Sequence, residues 1–131
     1  MKLAVVGAHL SGLPLNGQLI ERGATLVRAA RTKAAYRLYA LPGTMPSKPG
    51  MLRTGEPMGR RIELEVWDLT PAAFGDFVGL IPPPLCIGTI ELDDGELVKG
   101  FLVEAYAVDG AADITDYGGW RAYMAATAPK S

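Results

Sequence analysis

"CIGTIELDDGELVKGFLVEAYAV", Cys86–Val108, is the stretch whose reading decides the fold. Two apolar runs flank Asp94-Gly95, a pair that supplies the tight corner of a β-turn, so the segment reads as a β-hairpin. The same pattern recurs upstream. Leu26–Ala30 and Ala35–Leu41 are strand-like, the second with Tyr36 and Leu38 alternating against Arg37 and Tyr39. After a turn marked by Gly55 and Gly59, Ile62, Leu64 and Val66 alternate with Glu63, Glu65 and Trp67. Between them, "PGTMPSKPG" (Pro42–Gly50) holds three prolines and two glycines and is expected to be an ordered loop. Consecutive hairpins without the spacing of parallel crossover units predict an α+β fold: a small mixed, mainly antiparallel β-barrel with short helices.

The helices announce themselves by their ends. Leu15, Leu19 and Ile20 fall at helical spacing and halt at Gly23. Thr70 as N-cap and Pro71 at the first helical position predict a second helix through about Leu80, which Pro82, Pro83 and Pro84 terminate. A third is expected to start near Asp116 or Gly119 and to end in a frayed tail.

The 131 residues are expected to form a single domain, 1–131, around one core. A lone cysteine, Cys86, has no internal disulfide partner; a small buried apolar role and a reduced, cytoplasmic setting are expected. No segment approaches a membrane span, and Met1 leads straight into a strand rather than a signal pattern. Charge is divided along the chain. Residues 1–61 hold ten Lys or Arg and two acids, whereas 62–131 hold three basic residues and twelve acids, a balance of +8 against −9. The basic stretch Arg22–Arg37 would suit nucleic acid, but the acidic half would repel the same backbone, so neither nucleic acid nor a membrane is the expected partner. Either the halves meet and solvate each other, or a few cations converge on a small anion.

The only histidine lies in "VVGAHLSGLPLN" (Val5–Asn16). Leu3–Val6 reads as a buried strand that ends at Gly7, which sets His9 just past its carboxyl end, where catalytic groups are often mounted. Gly7, Ala8, Ser11 and Gly12 are small, opening the backbone to a ligand. A histidine bonded into a surface turn is the structural alternative. Other chemistries lack their residues. One histidine and one cysteine cannot build the usual nitrogen and sulfur metal site, Asp93-Asp94-Gly95 is turn chemistry, and no nucleophile elbow, phosphate loop or dinucleotide fingerprint occurs, so neither a metal nor a cofactor is expected. Glu104 interrupts "GFLVEAYAV" as an alternative acid, and hydrogen-bond reach of His9 would decide its role.

"VVGAHLSGLPLN", "YRLYALPGTMPSKPG" (36–50), "IELEVWDL" (62–69), "LIPPPLCIGTIELDDGELVKGFLVEA" (80–105) and "DITDYGGWRAYM" (113–124) together resemble the C-terminal domain of allophanate hydrolase, over Leu3–Met124. The resemblance implies a γ-glutamylcyclotransferase-like fold whose pocket is made by the loop after the first strand. Cyclotransferases carry Tyr-Gly-Ser there and a catalytic glutamate later; here the loop is "VGAHL" and Ile81 stands at the glutamate position, which argues against cyclotransferase activity. Allophanate hydrolases act in urea catabolism and s-triazine degradation. In the family an amidase domain deaminates allophanate to N-carboxycarbamate, and the C-terminal domain is implied to decarboxylate it through a histidine that His9 matches. The amidase motifs are absent from this chain, which leaves it the second step, with the amidase in cis or trans.

Chemistry agrees with that implication. Losing carbon dioxide leaves charge on nitrogen, for which a donor/acceptor titrating near neutrality is suited, and histidine is that side chain. The two carboxylates of a small anionic substrate call for cations and amides: Gly7, Ala8, Leu10 and Ser11 of the loop, with Tyr39 and Lys48, are the expected lining. Two other classes stay open: a non-catalytic assembly or dimerisation module, with a homodimer possible, and a different small-molecule enzyme on the same scaffold.

Overall fold

In the computed structural model, which describes residues 1–128, the chain is α+β. The strands are β1 (Lys2–Val5), β2 (Thr25–Arg31), β3 (Tyr36–Ala40), β4 (Pro49–Arg53), β5 (Glu63–Asp68), β6 (Leu85–Glu91), β7 (Leu97–Val103) and β8 (Ala112–Asp113). The helices are α1 (Asn16–Ile20), α2 (Pro71–Val78) and α3 (Trp120–Thr127). A five-stranded sheet runs β2-β5-β1-β7-β6 and a three-stranded one β4-β3-β8. β1 is thus central. It pairs antiparallel with β5 and parallel with β7, the latter through Leu3↔Lys99 and Ala4↔Gly100, which makes the sheet mixed.

The expected hairpin forms. β6 and β7 pair antiparallel from Leu85↔Val103 to Glu91↔Leu97, and Gly95 takes the corner at φ 91°, a conformation that costs a side-chain-bearing residue energy. Thr70 caps α2 by accepting from the Ala73 amide at 3.1 Å, with Pro71 just inside the helix. α3 begins one residue after Gly119. The frayed tail expected beyond it lies at 129–131, outside the described residues.

One expectation needs correcting: the sheets do not close into a barrel. β2 and β6 stand at opposite edges of the larger sheet and meet through the single bridge Thr32↔Leu92 rather than along a ladder. Closure fails because the chain leaves β2 at Thr32 and turns into β3, a member of the second sheet, so no further strand length remains to pair with β6.

Burial follows the alternation. Leu64 and Val66 of β5 join Leu3 and Val5 of β1, Phe77 of α2 and Ile90 of β6 in one apolar core. Proline at the start of β4 is tolerated because β4 is an edge strand. The charge asymmetry resolves into cross-chain pairs: Lys2–Glu96 at 2.8 Å, Arg28–Asp94 and Arg28–Glu96 at 3.0 Å, Arg37–Asp113 at 2.7 Å and Arg53–Glu91 at 3.0 Å. The basic half is therefore largely occupied by the acidic half. Pairs this exposed each contribute at most about 1 kcal/mol, so their role is register and solubility more than stability.

Candidate functional site

β1 ends at Val5, and the chain turns through Gly7–Leu10, closed by the Leu10 amide bonding the Gly7 carbonyl at 3.0 Å. This carries His9 off the carboxyl end of a central strand and inward. Its side chain is only 8% exposed. The ring stacks on Phe101 of β7, centroids 5.0 Å apart and planes 22° apart, and meets the edge of Phe77 of α2 at 5.1 Å. Two aromatic walls therefore fix the ring plane.

Polar contacts complete the restraint. His9 Nε2 lies 2.7 Å from Gln18 Oε1 on α1, and Asn16 Nδ2 donates to the His9 carbonyl at 2.8 Å. Burial pushes the imidazole below its ordinary value, more strongly than the Gln18 bond raises it, and the charge of Lys48 lowers it further. The resting ring is consequently neutral at pH 7.

His9 lines two adjoining spaces. One is a cavity of about 140 Å³ shared with Leu15, Gln18, Lys48, Ile81, Leu85 and Phe101; the other is a cleft of about 20 Å³ with Gly7, Ala8 and Pro49 on its walls. Both have Lys48 in common. Among the described residues Lys48 makes no ion pair, and its backbone is pinned, its amide donating to Thr44 Oγ1 at 2.9 Å and its carbonyl accepting from the Leu41 amide at 3.1 Å. The Pro42–Lys48 segment is thus an ordered strap over the site; the expected loop ends two residues early, because Pro49 and Gly50 open the edge strand β4 against Ala40 and Tyr39. Ile81 lines the larger cavity, and no carboxylate is among the residues that line it.

Of the residues singled out from the sequence, Gly7, Ala8, His9 and Lys48 come together. Others go elsewhere. The Ser11 amide and Oγ both donate to Glu65 Oε1, at 2.8 and 3.1 Å, and Leu10 faces the same side of the molecule. There a broad groove of about 570 Å³ runs along Arg28–Arg31, Glu63–Glu65 and Trp120-Arg121, separate from His9. Tyr39 sits on β3 opposite Gly50 and Asp113, off both His9 cavities. Glu104 is exposed past the end of β7 and lies outside both cavities. Gly7 also serves the packing of the strap: an added Cβ would collide with the Pro49 ring, so the glycine permits the close approach of Pro49.

Sequence reasoning missed Gln18, Phe77 and Phe101. Each is an ordinary surface-helix or core residue by pattern, and only the packing of α1, α2 and β7 around β1 converts them into the walls of a site. Cys86, on β6, is half-buried rather than buried as expected, and desolvation first and then the Glu104 charge push its thiol up.

Comparison with known proteins supplies the family. Residues 1–125 match the allophanate hydrolase C-terminal domain. The chain is 49% identical over 127 residues to a urea amidolyase of Lachancea kluyveri, covering 95% of this chain and 7% of that protein. Among solved structures, an allophanate hydrolase of Kluyveromyces lactis superposes with a TM-score of 0.92 at 45% identity, over 95% of this chain and 21% of that one. A uropathogenic E. coli-specific protein gives 0.87 at 38% identity, over 95% of this chain and 94% of that one. A γ-glutamyl cyclotransferase, at 9% identity and a TM-score of 0.55, shares the fold alone. The chain spans a small fraction of the length of the curated relatives it matches.

Proposed function

Since the chain belongs to the allophanate hydrolase C-terminal domain family, we propose that it performs the second step of allophanate breakdown, the decarboxylation of N-carboxycarbamate delivered by an amidase partner. The observation that carries this reading is the pairing of a neutral His9, held by its ring contacts, with a Lys48 that makes no ion pair among the described residues, around one small cavity. At about 140 Å³ the space is well below the ~300 Å³ at which drug-sized sites begin, which restricts it to a molecule of a few heavy atoms.

The chemistry balances with groups of this chain alone. Lys48 and burial hold the empty site's imidazole neutral. A bound dianion reverses that balance: it offsets the Lys48 charge and stabilises an imidazolium, so a proton enters with the substrate. The N–C bond to one carboxylate then breaks, its electron pair stays on nitrogen, carbon dioxide departs, and nitrogen takes the proton from the His9 imidazolium. Carbamate is the product, and His9 returns to neutral. Lys48 holds the remaining carboxylate throughout. Phe77, Phe101 and Ile81 keep water away, which strengthens each electrostatic contact.

A second reading follows from the depth of His9. A ring so covered and so firmly bonded also suits a structural post in a module that assembles a larger hydrolase without catalysis of its own. Malonate, which presents two carboxylates one atom apart, separates the two readings. Calorimetry in two buffers of different ionisation enthalpy should show saturable binding with uptake of a proton near pH 7.5. Lys48→Ala should weaken binding about tenfold, the worth of one charge-assisted hydrogen bond. No binding, or binding without proton uptake that ignores both Lys48→Ala and His9→Ala, would favour the assembly module.

A further inference from the structure

We infer that Gln18 is a positioning residue for His9: by accepting from Nε2–H it fixes the ring in the tautomer whose free nitrogen, Nδ1, opens to the cavity and exchanges the proton with the ligand. This inference rests on the decarboxylation reading of the site, and it names the atom through which that site works.

The argument starts from hydrogen-bond capacity. Gln18 Oε1 can only accept, so at 2.7 Å from Nε2 it requires that nitrogen to carry the hydrogen. A neutral imidazole has one N–H, which leaves Nδ1 as a lone-pair acceptor. Nδ1 has no partner among the described residues, yet no fully buried side-chain nitrogen or oxygen among them lacks one. Nδ1 therefore keeps access to open space, and the open space on His9 is the cavity that Lys48 shares. A half-turn of the ring about Cβ–Cγ would keep its plane against Phe101 but place Cε1 where Nε2 stands, so it would lose the Gln18 bond.

Gln18 is itself held in register. It sits two residues after Asn16, whose side chain bonds the His9 carbonyl, so the short helix α1 grips both the backbone and the ring of the same residue. Its Leu19 neighbour is fully buried and anchors the helix in the core. A neutral amide suits this post because a carboxylate there would protonate the resting imidazole and abolish the ligand-linked proton uptake.

The chain has one histidine, so a single imidazole signal reports the state directly. In the 15N-labelled full chain at pH 7.5, long-range proton–nitrogen correlation should show the Nε2–H tautomer. Gln18→Met, which keeps length but removes the acceptor, should shift the population toward Nδ1–H and lower amidase-coupled kcat roughly tenfold or more with KM near wild type. Gln18→Glu should raise the His9 titration midpoint and move the pH profile of kcat upward with it, the neutral Nε2–H form appearing only above that midpoint. A wild-type ring in the Nδ1–H form, or a tautomer ratio that Gln18→Met leaves unchanged, overturns the inference. Should Gln18→Met fail to fold, the wild-type tautomer and the Gln18→Glu titration decide it. The spectrum judges Gln18 even where turnover is nil, whereas a wild type without turnover counts against the decarboxylation reading instead.

Discussion

The His9 imidazole lies nearly parallel to the Phe101 ring, centroids 5.0 Å apart, so the residue that titrates is packed against one of the apolar side chains of the central sheet. Charging that ring in the empty protein is costly, and the cost appears in stability.

Unfolded, a histidine titrates near 6.5; folded, His9 titrates lower. Between those two values the unfolded state binds more protons, so stability falls as pH drops through 6.5 and levels off below the folded value. Carboxylates held below their usual range, Asp94, Glu96 and Asp113, lose their contributions only at more acidic pH. Urea denaturation between pH 7.5 and 5.5 should therefore show a decline that His9→Gln flattens. An equal decline in both proteins would assign it to other groups.

Gly7→Ala should destabilise the fold by about 1–3 kcal/mol, because its Cβ must displace the Pro49 ring. Pro49 follows Lys48 directly, so the same change should weaken malonate binding. Unaltered stability by denaturation would mean that the strap moves freely, and that Lys48 is not held in place by its packing.

Glu65 ties the His9 loop from its other side, accepting from Ser11 and, at 3.2 Å, from the Trp67 indole, with Arg121 on its second oxygen at 3.3 Å. Glu65→Ala leaves those donors unpaired and should cost about 1–3 kcal/mol, with Glu65→Gln milder because one acceptor oxygen survives. Thermal unfolding followed by tryptophan fluorescence measures both; equal losses would show that the charge, rather than the acceptor geometry, matters.

Much of this was legible in the chain, because local chemistry carried it. The Asp94-Gly95 corner, the Thr70 cap, the central Leu3–Val5 strand and the place of His9 just beyond it follow from residues within a few positions of one another. What stayed hidden depends on distant partners. Ser11 turns away from the site because Glu65, 54 residues on, takes its donors. The function of Gly7 depends on where Pro49 docks, and the open sheets depend on where the chain exits β2. Gln18 gave no signal at all: one polar residue on a short helix becomes informative only when its amide is found against the ring.

The central claim is that His9 delivers a proton to the nitrogen that carbon dioxide leaves behind. The purified chain, mixed with an allophanate-deaminating amidase, should accelerate carbon dioxide release beyond the amidase alone. His9→Ala should reduce that acceleration by about a hundredfold or more while the deamination step that feeds it is unchanged. Carbon dioxide release that the wild-type chain does not hasten, or that His9→Ala hastens equally, would contradict the account.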